Sequence, residues 1–467
     1  MNKRLAICGA TVIDTYTGAK DKRDILIEGE RIAEIAPVGS FDIPANIERV
    51  DARGRFVIPG LWDAHIHVTR WPEYDERLPS LLTAYGITSV RDMGAPLDDI
   101  LGFREKALQK TALAPRIWFA GPYLNSSPLW TPTNQMSAEV DTKEEAFELI
   151  DKLAAAGIHF VKAYEMLLPE VFKAIVERVK QHGLKVAGHI PISLTVKEVL
   201  EVEPHYDIQH LGGGSGSSMR FDCACFGDQL HLERKGIMES NRVRAETGVE
   251  VLRAVEQGVT VSPADQDPEK RAELINLFIE KGTWHTPTLV VLISLEALGL
   301  EQDPERLKAL QYMPQDFMKE KQTMLKGVKG FFDNQIQWGP WVMETVGLMH
   351  EAGVPLLAGT DSPPILTYTP GLALHFELQA LVQSGVSPLA ALQAATLNPA
   401  RFFDIENDLG SIAKGKYADL LLLEDDPLKD ITNTRKIVSV LSRGHYLDRQ
   451  ALDNLFESMT EPVSTEA

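Results

Sequence analysis

Hydrophobic and polar positions follow three successive rhythms along the chain. Residues 1 to 58 run in short β-branched stretches, LAICGATVID, RDILIEGERIAEIAPVG and RVDARGRFVIPG, separated by turn residues. That pattern predicts strands. From 59 to 404, apolar runs of strand length alternate with stretches of helical period. The strand candidates are LWDAHIHV, TSVRDMG, RIWFAGPYL, HFVKAY, KVAGHI, YDIQHL, TWHTPTL and VPLLAGTD, and the helical stretches include TKEEAFELIDKLAAAG and PEVFKAIVERVKQHG. Eight strands with helices between them predict an α/β fold, a (β/α)8 barrel of the TIM type. After Asp404 the chain is β-like again, in SIAKGKYADLLLLEDDP and KIVSVLSRGHYL, and it ends in a polar tail after about Met459. The terminal parts, 1–58 and 405–467, are expected to pair as a small β-sandwich beside a catalytic barrel spanning 59–404.

A chain of 467 residues exceeds what one core supports, in keeping with a large domain and a smaller one. A charged fraction of 24% and a hydrophobic fraction of 44% are those of a globular protein. The net charge of −19 argues against nucleic acid and anionic membrane surfaces as partners. The cysteines, Cys8, Cys223 and Cys225, are too few and of odd number for a disulfide framework. The N-terminus lacks the apolar core of a signal peptide, and no run reaches the length of a membrane span. A cytoplasmic enzyme acting on a small molecule is the expectation.

The chemistry is concentrated at the predicted strand ends. In Asp63-Ala64-His65-Ile66-His67, the two histidines stand at i and i+2, so a strand points both to one side. His189 ends KVAGHI, His210 ends YDIQHL and Asp361 ends VPLLAGTD. In a barrel of this kind, catalytic groups come from those C-terminal strand ends. Of twelve histidines, four occupy such positions, and with Asp361 they make a metal-ligand set. Lys162 lies within HFVKAY, a strand expected to be buried on both faces, where lysine is rare without a partner. Desolvation and a nearby metal would leave its amine neutral, able to take up carbon dioxide as a carbamate. That anionic group would bridge two ions where a charged lysine would bind none.

The order HxH, Lys, His, His, Asp on successive strands resembles the amidohydrolase superfamily. GITSVRDMG (86–94), LHFELQALVQSGVSPLAALQAATLNPARFF (374–403) and LGSIAKGKYADLLLLEDDPL (409–428) resemble other parts of that family, so the likeness covers essentially the whole chain. The lysine-containing order is similar to the two-metal, prolidase-like branch, which also holds phenylurea and thiocarbamate (molinate) hydrolases. The resemblance implies that His65, His67 and Asp361 bind one divalent ion, that His189 and His210 bind a second, and that carboxylated Lys162 bridges them. Zinc suits such ligands, as do manganese, cobalt and iron. Asp361 would move the proton from nucleophile to departing nitrogen. His285, in GTWHTPTL, is a further candidate for contact with substrate or leaving group. The family likeness also favours a homo-oligomer.

Specificity in barrels is carried by the rim loops. Trp71 and Tyr74 in the first loop and Trp130 in the third are candidates to line an apolar pocket, and Arg70 and Arg220 to bind a carboxylate. The sequence VKAYEM lacks the glycine-rich continuation that follows the lysine in many dipeptidases of the branch. That favours amide, urea and carbamate or thiocarbamate substrates over Xaa-Pro and Xaa-Arg dipeptides. A deaminase is disfavoured by Lys162, and a non-catalytic scaffold by the full ligand set.

Overall fold

The computed structural model describes residues 4–70, 77–109, 114–127, 136–212, 222, 262–314, 329–363 and 368–460. Trp71, Tyr74, Trp130, Arg220, Cys223 and Cys225 lie outside these residues.

The terminal segments meet in one eight-stranded sheet. Its N-terminal strands are β1 (Arg4–Ile13), β2 (Lys20–Glu28), β3 (Arg31–Pro37), β4 (Glu48–Asp51) and β5 (Phe56–Pro59). Parallel strands then follow along the chain: β6 (Leu61–Ile66), β7 (Ile87–Asp92), β8 (Arg116–Phe119), β9 (Tyr123–Asn125), β10 (Ser137–Glu139), β11 (Phe160–Ala163), β12 (Lys185–Gly188), β13 (Asp207–Gln209) and β14 (Trp284–Thr286). The C-terminal strands β15 (Leu420–Leu423), β16 (Ile437–Ser442) and β17 (His445–Leu447) return to the first sheet, whose order is β17-β16-β15-β5-β1-β2-β3 with β4 on β1. Leu420–Leu423 lies antiparallel to Phe56–Pro59, so the two ends of the chain share backbone hydrogen bonds as their like patterns predict. The C-terminal segment also carries a helix, Arg449–Met459, which buries Leu452 and Met459 and sets Phe456 5.0 Å from Tyr85.

The parallel strands form sheets of order β6-β7-β8 and β10-β9-β11-β12-β13-β14. Backbone contacts join them. His159 N–H donates to Phe119 O (2.9 Å) between β8 and β11. On the other side the segment 354–362 bridges β14 and β6, through His285↔Leu356 and Ile66↔Ser362. The result is TIM-barrel-like. The eighth predicted strand is present as that segment, held by isolated bridges rather than a continuous ladder, and it ends at Asp361 in the left-handed region (φ 55°). Helices such as Lys143–Ala155 and Pro169–Gln181 cover the outside, the first opened by a capping box between Thr142 and Glu145. No helix among the described residues is long and apolar enough to cross a membrane.

The barrel interior is layered. Phe160, Leu357 and Phe402 pack low with Ala64, Met93 and Ala187. Above them Arg91 pairs with Asp207 at 2.6 Å, both fully buried, and Thr286 Oγ1 lies 3.0 Å from each of them. A buried pair of this kind is held by its geometry. The next layer up carries the metal-competent groups.

Candidate metal centre

Each candidate ligand sits where a strand ends. β6 pairs with β7 irregularly between Asp63 and Ile66, and such irregularities re-aim side chains. His65 and His67 come out side by side, ring centroids 5.4 Å apart. The His65 ring is 4.5 Å from that of His210, which is 5.1 Å from that of His189. Asp361 Oδ1 lies 3.3 Å from His65 Nε2 and 3.1 Å from His67 Nε2. His65, His210 and Asp361 offer ligand atoms within 4.8 Å of one another. Glycine makes one junction close enough: a Cβ on Gly188 (φ 147°) would fall 2.0 Å from Ala163 O, so only glycine lets β12 approach β11 there.

The four histidines share one arrangement. His65 Nδ1 donates to Gln209 Oε1 (2.5 Å) and His67 Nδ1 to Gly94 O (3.1 Å). His189 Nδ1 donates to Glu165 Oε1 (2.9 Å) and His210 Nδ1 to Thr288 Oγ1 (2.5 Å). Thr288 Oγ1 spends its own proton on Pro287 O, and the Gln209 amide nitrogen spends its protons on Asp207, so both oxygens are acceptors toward histidine. Every ring therefore carries its proton on Nδ1 and presents the Nε2 lone pair. This is how metal-binding histidines are oriented. His65 Nε2 is buried and makes no hydrogen bond among the described residues, which fits an atom reserved for an ion. Burial, helped by the Lys162 charge, keeps His65 and His189 below the ordinary imidazole range, and burial beside His65 does the same for His210. Neutral rings are the ligating form. Asp361 Oδ1 faces the Nε2 lone pairs of His65 and His67 at 3.3 and 3.1 Å, acceptors set against an acceptor, an arrangement that a cation between them would reconcile.

Lys162 is 1% exposed, with Nζ 5.1 Å from the Tyr123 ring and 5.8 Å from that of Tyr164. Those two rings stack at 4.7 Å. Burial lowers the Lys162 amine to about 7, against the opposing pull of Asp361. The donor set, with neutral imidazoles, an ionised carboxylate and an amine that deprotonates near neutrality, fits divalent ions.

His285 stands apart from this group. Strand alternation sends its neighbours Trp284 and Thr286 inward and turns His285 out of the barrel, where its ring packs 4.3 Å from Phe278 of helix Pro268–Lys281. Burial pushes it down to about 3. Arg70 is half-buried at the rim, near enough to Tyr123 and Tyr164 for its charge to bear on both phenols. The residues that sequence reasoning missed are the supporters: Gln209, Glu165, Thr288, Tyr123 and the Gly94 carbonyl. Gln209 and Glu165 stand within three residues of a candidate ligand, and that proximity was the only signal they gave.

A family model described as the amidohydrolase family matches residues 56–447. Among curated proteins, an adenine deaminase from Rubrobacter xylanophilus is 47% identical over 53 residues, 11% of this chain and 9% of that protein. The chain thus aligns with about a tenth of that relative's length. Among solved structures, molinate hydrolase superposes with a TM-score of 0.66 at 21% identity, covering 100% of this chain and 99% of the other. A Xaa-Pro dipeptidase with bound methionine in the active site gives a TM-score of 0.65 at 18% identity, with coverages of 96% and 100%.

Proposed function

The chain belongs to the amidohydrolase family, and from that premise we propose that it is a metal-dependent hydrolase cleaving a C–N bond of a small amide, urea, carbamate or thiocarbamate. The observation that carries this reading is the convergence of four histidines, each anchored through Nδ1 and presenting Nε2, on Asp361 and buried Lys162. In this reading His65, His67 and Asp361 would hold one divalent ion, His189 and His210 would hold another, and Lys162, as its carbamate, would contribute an anionic ligand. Ions bound there would supply Lewis acidity toward a carbonyl and acidify a water.

The chain's own residues do the rest. The Lys162 amine, neutral in good part at neutral pH, forms an N–C bond to carbon dioxide and releases a proton, giving an anion that bound cations would favour where an ammonium would repel them. Asp361 accepts a proton on its carboxylate and returns it to the departing nitrogen. Tyr123 and Tyr164 stack beside Lys162 and keep bulk water from that flank. Zinc is the ion we favour, with manganese, cobalt and iron as alternatives. Trp71, Tyr74 and Trp130 remain proposed pocket residues. We also propose a cytoplasmic homo-oligomer.

A second reading, a metallo-dipeptidase of Xaa-Pro or Xaa-Arg type, is favoured by Arg70. A guanidinium beside the two tyrosines is suited to a substrate carboxylate, with Arg220 as its proposed companion. A hydrolysis screen followed by mass spectrometry on metal-replete enzyme separates the two. Turnover of anilides, N-aryl ureas or thiocarbamates with dipeptides untouched supports the first reading. Turnover confined to dipeptides replaces it with the second.

A further inference from the structure

A cavity of about 250 Å³ lies at the end of the barrel opposite the metal candidates, where the N-terminal ends of β8 and β11 face the terminal sheet. Arg116 is the first residue of β8 and His159 immediately precedes β11, so this cavity opens at the end away from the metal candidates. Its lining includes Arg104, Arg116, Trp118, His159, Tyr417 and Arg443.

The charges there are unequal. Arg116 is satisfied by Asp419 and Glu30, each at 2.7 Å. Asp408, the one acid in the lining, is taken by Arg31 at 2.7 Å. Arg104 and Arg443 have no carboxylate partner among the described residues, and Arg443 Nε is buried without a hydrogen-bond acceptor. In a chain with a net charge of −19, two guanidiniums on one cavity without an ion-pair partner of their own are not a consequence of composition; Glu30 and Asp419, which bear on Arg443 through space, are both paired with Arg116. His159 adds a donor: its Nδ1 accepts from Phe119 N–H (3.2 Å), so the neutral ring carries its proton on Nε2. Burial and the Arg104 charge hold that ring at about 4, neutral at physiological pH. Trp118 provides an aromatic wall braced from behind, 4.2 Å from Trp62 and 6.1 Å from Phe403 between ring centroids.

We propose that this cavity is a binding site for a small planar carboxylate, an aromatic or heteroaromatic acid of about one ring, whose flat body packs on Trp118 and whose carboxylate is met by Arg104 and Arg443. A volume of about 250 Å³ accommodates a single-ring acid. Guanidinium recognises carboxylate through parallel donors, and an aromatic wall selects a flat body over a puckered one. The site is separate from the metal candidates, at the far end of the barrel.

The test is calorimetric titration of metal-replete enzyme with benzoate, compared with cyclohexanecarboxylate and inorganic phosphate. Benzoate is expected to bind saturably and about fivefold more tightly than cyclohexanecarboxylate. The Arg104→Gln/Arg443→Gln double variant should weaken benzoate at least about tenfold, while His65→Ala leaves it unchanged. Absence of saturable binding overturns the proposal. So does phosphate binding as tightly as benzoate, or benzoate binding that survives the arginine changes and disappears with His65→Ala. Should the double variant misfold, photolabelling of the wild-type enzyme with para-azidobenzoate decides the matter. Label on peptides containing residues 104–118, 405–417 or 443 supports the site, and label confined to peptides of the metal end overturns it.

Discussion

At the scale of single residues, the candidate centre is defined as much by what holds the histidines as by the histidines. Gln209 links two layers: its amide nitrogen donates to Asp207 Oδ2 (2.6 Å), a carboxylate held by Arg91, and its Oε1 accepts from His65. Replacing it with leucine leaves the His65 ring without an acceptor for Nδ1–H. Gln209→Leu is therefore expected to lower metal affinity by about 10- to 100-fold, read as metal retained after dialysis against a graded chelator, with circular dichroism unchanged. Undiminished retention would mean that Gln209 does not orient the ligand. In the proposed centre, Asp361→Asn would keep an oxygen for the ion but remove the base. It should retain most of the metal and lose about 10²- to 10⁴-fold in kcat, and near-normal turnover would remove Asp361 from proton transfer. The gathering of His65, His67, His189, His210 and Asp361 at one end of the barrel was legible in the sequence because strand periodicity and strand ends are local properties. Gln209 was not, because its partner lies 144 residues away, and no local pattern encodes that contact. His285 shows the same limit in reverse. It sits on a strand of the barrel, but the two-residue alternation that turns Thr286 inward turns it outward.

At the scale of elements, strands were easier to read than the interruptions that make them useful. Seven of the eight barrel segments form strands near their predicted places, and the eighth is broken by its own chemistry: a Cβ on Gly359 would fall 2.6 Å from His65 Cβ, and Asp361 takes a left-handed backbone. Close packing there excludes a regular ladder, and apolar periodicity does not report it. The helix Leu372–Gln383 carries another feature invisible to pattern, Glu377, fully buried with Oε2 accepting from Val290 N–H (2.9 Å). That bond fixes the turn beginning at Thr288, the acceptor for His210. Burial raises the Glu377 carboxyl to about 8 from its ordinary 4.5. Between those values the folded chain keeps a proton that the unfolded chain sheds. The contribution of this group to stability is thus whole below 4.5 and is lost as pH climbs toward 8, at about 1.4 kcal/mol per pH unit. Glu377→Gln, neutral at every pH, should melt several degrees above wild type at pH 8 and match it near pH 4.5. Parallel melting curves across that range would show that the wild-type carboxyl is ionised in the folded state.

At the scale of the whole molecule, two devices join parts of the chain that are far apart in sequence. One is the terminal sheet, where Leu420–Leu423 pairs with Phe56–Pro59 and Asp419 reaches Arg116 of the barrel at 2.7 Å. The similar composition of the two chain ends made their pairing legible. The ion pairs that fasten the sheet to the barrel were not, since charged residues are common on any surface. The other device is the metal centre, whose candidate ligands come from β6, β11, β12, β13 and the segment before Asp361, so that bound ions would cross-link five of the eight barrel segments. An ion that binds the native arrangement and not the unfolded chain stabilises the fold by mass action, about 2.7 kcal/mol when free metal stands at 100 times its dissociation constant. Stripping the protein with a chelator should accordingly lower Tm by a few degrees, and adding back zinc or manganese should restore it. His210→Ala, which removes the ring lying between those of His65 and His189, should melt low and respond only weakly to added metal. If stripped and replete wild-type protein differ in metal content but melt together, the ions do not prefer the native centre, and the cross-linking role fails independently of any assay of turnover.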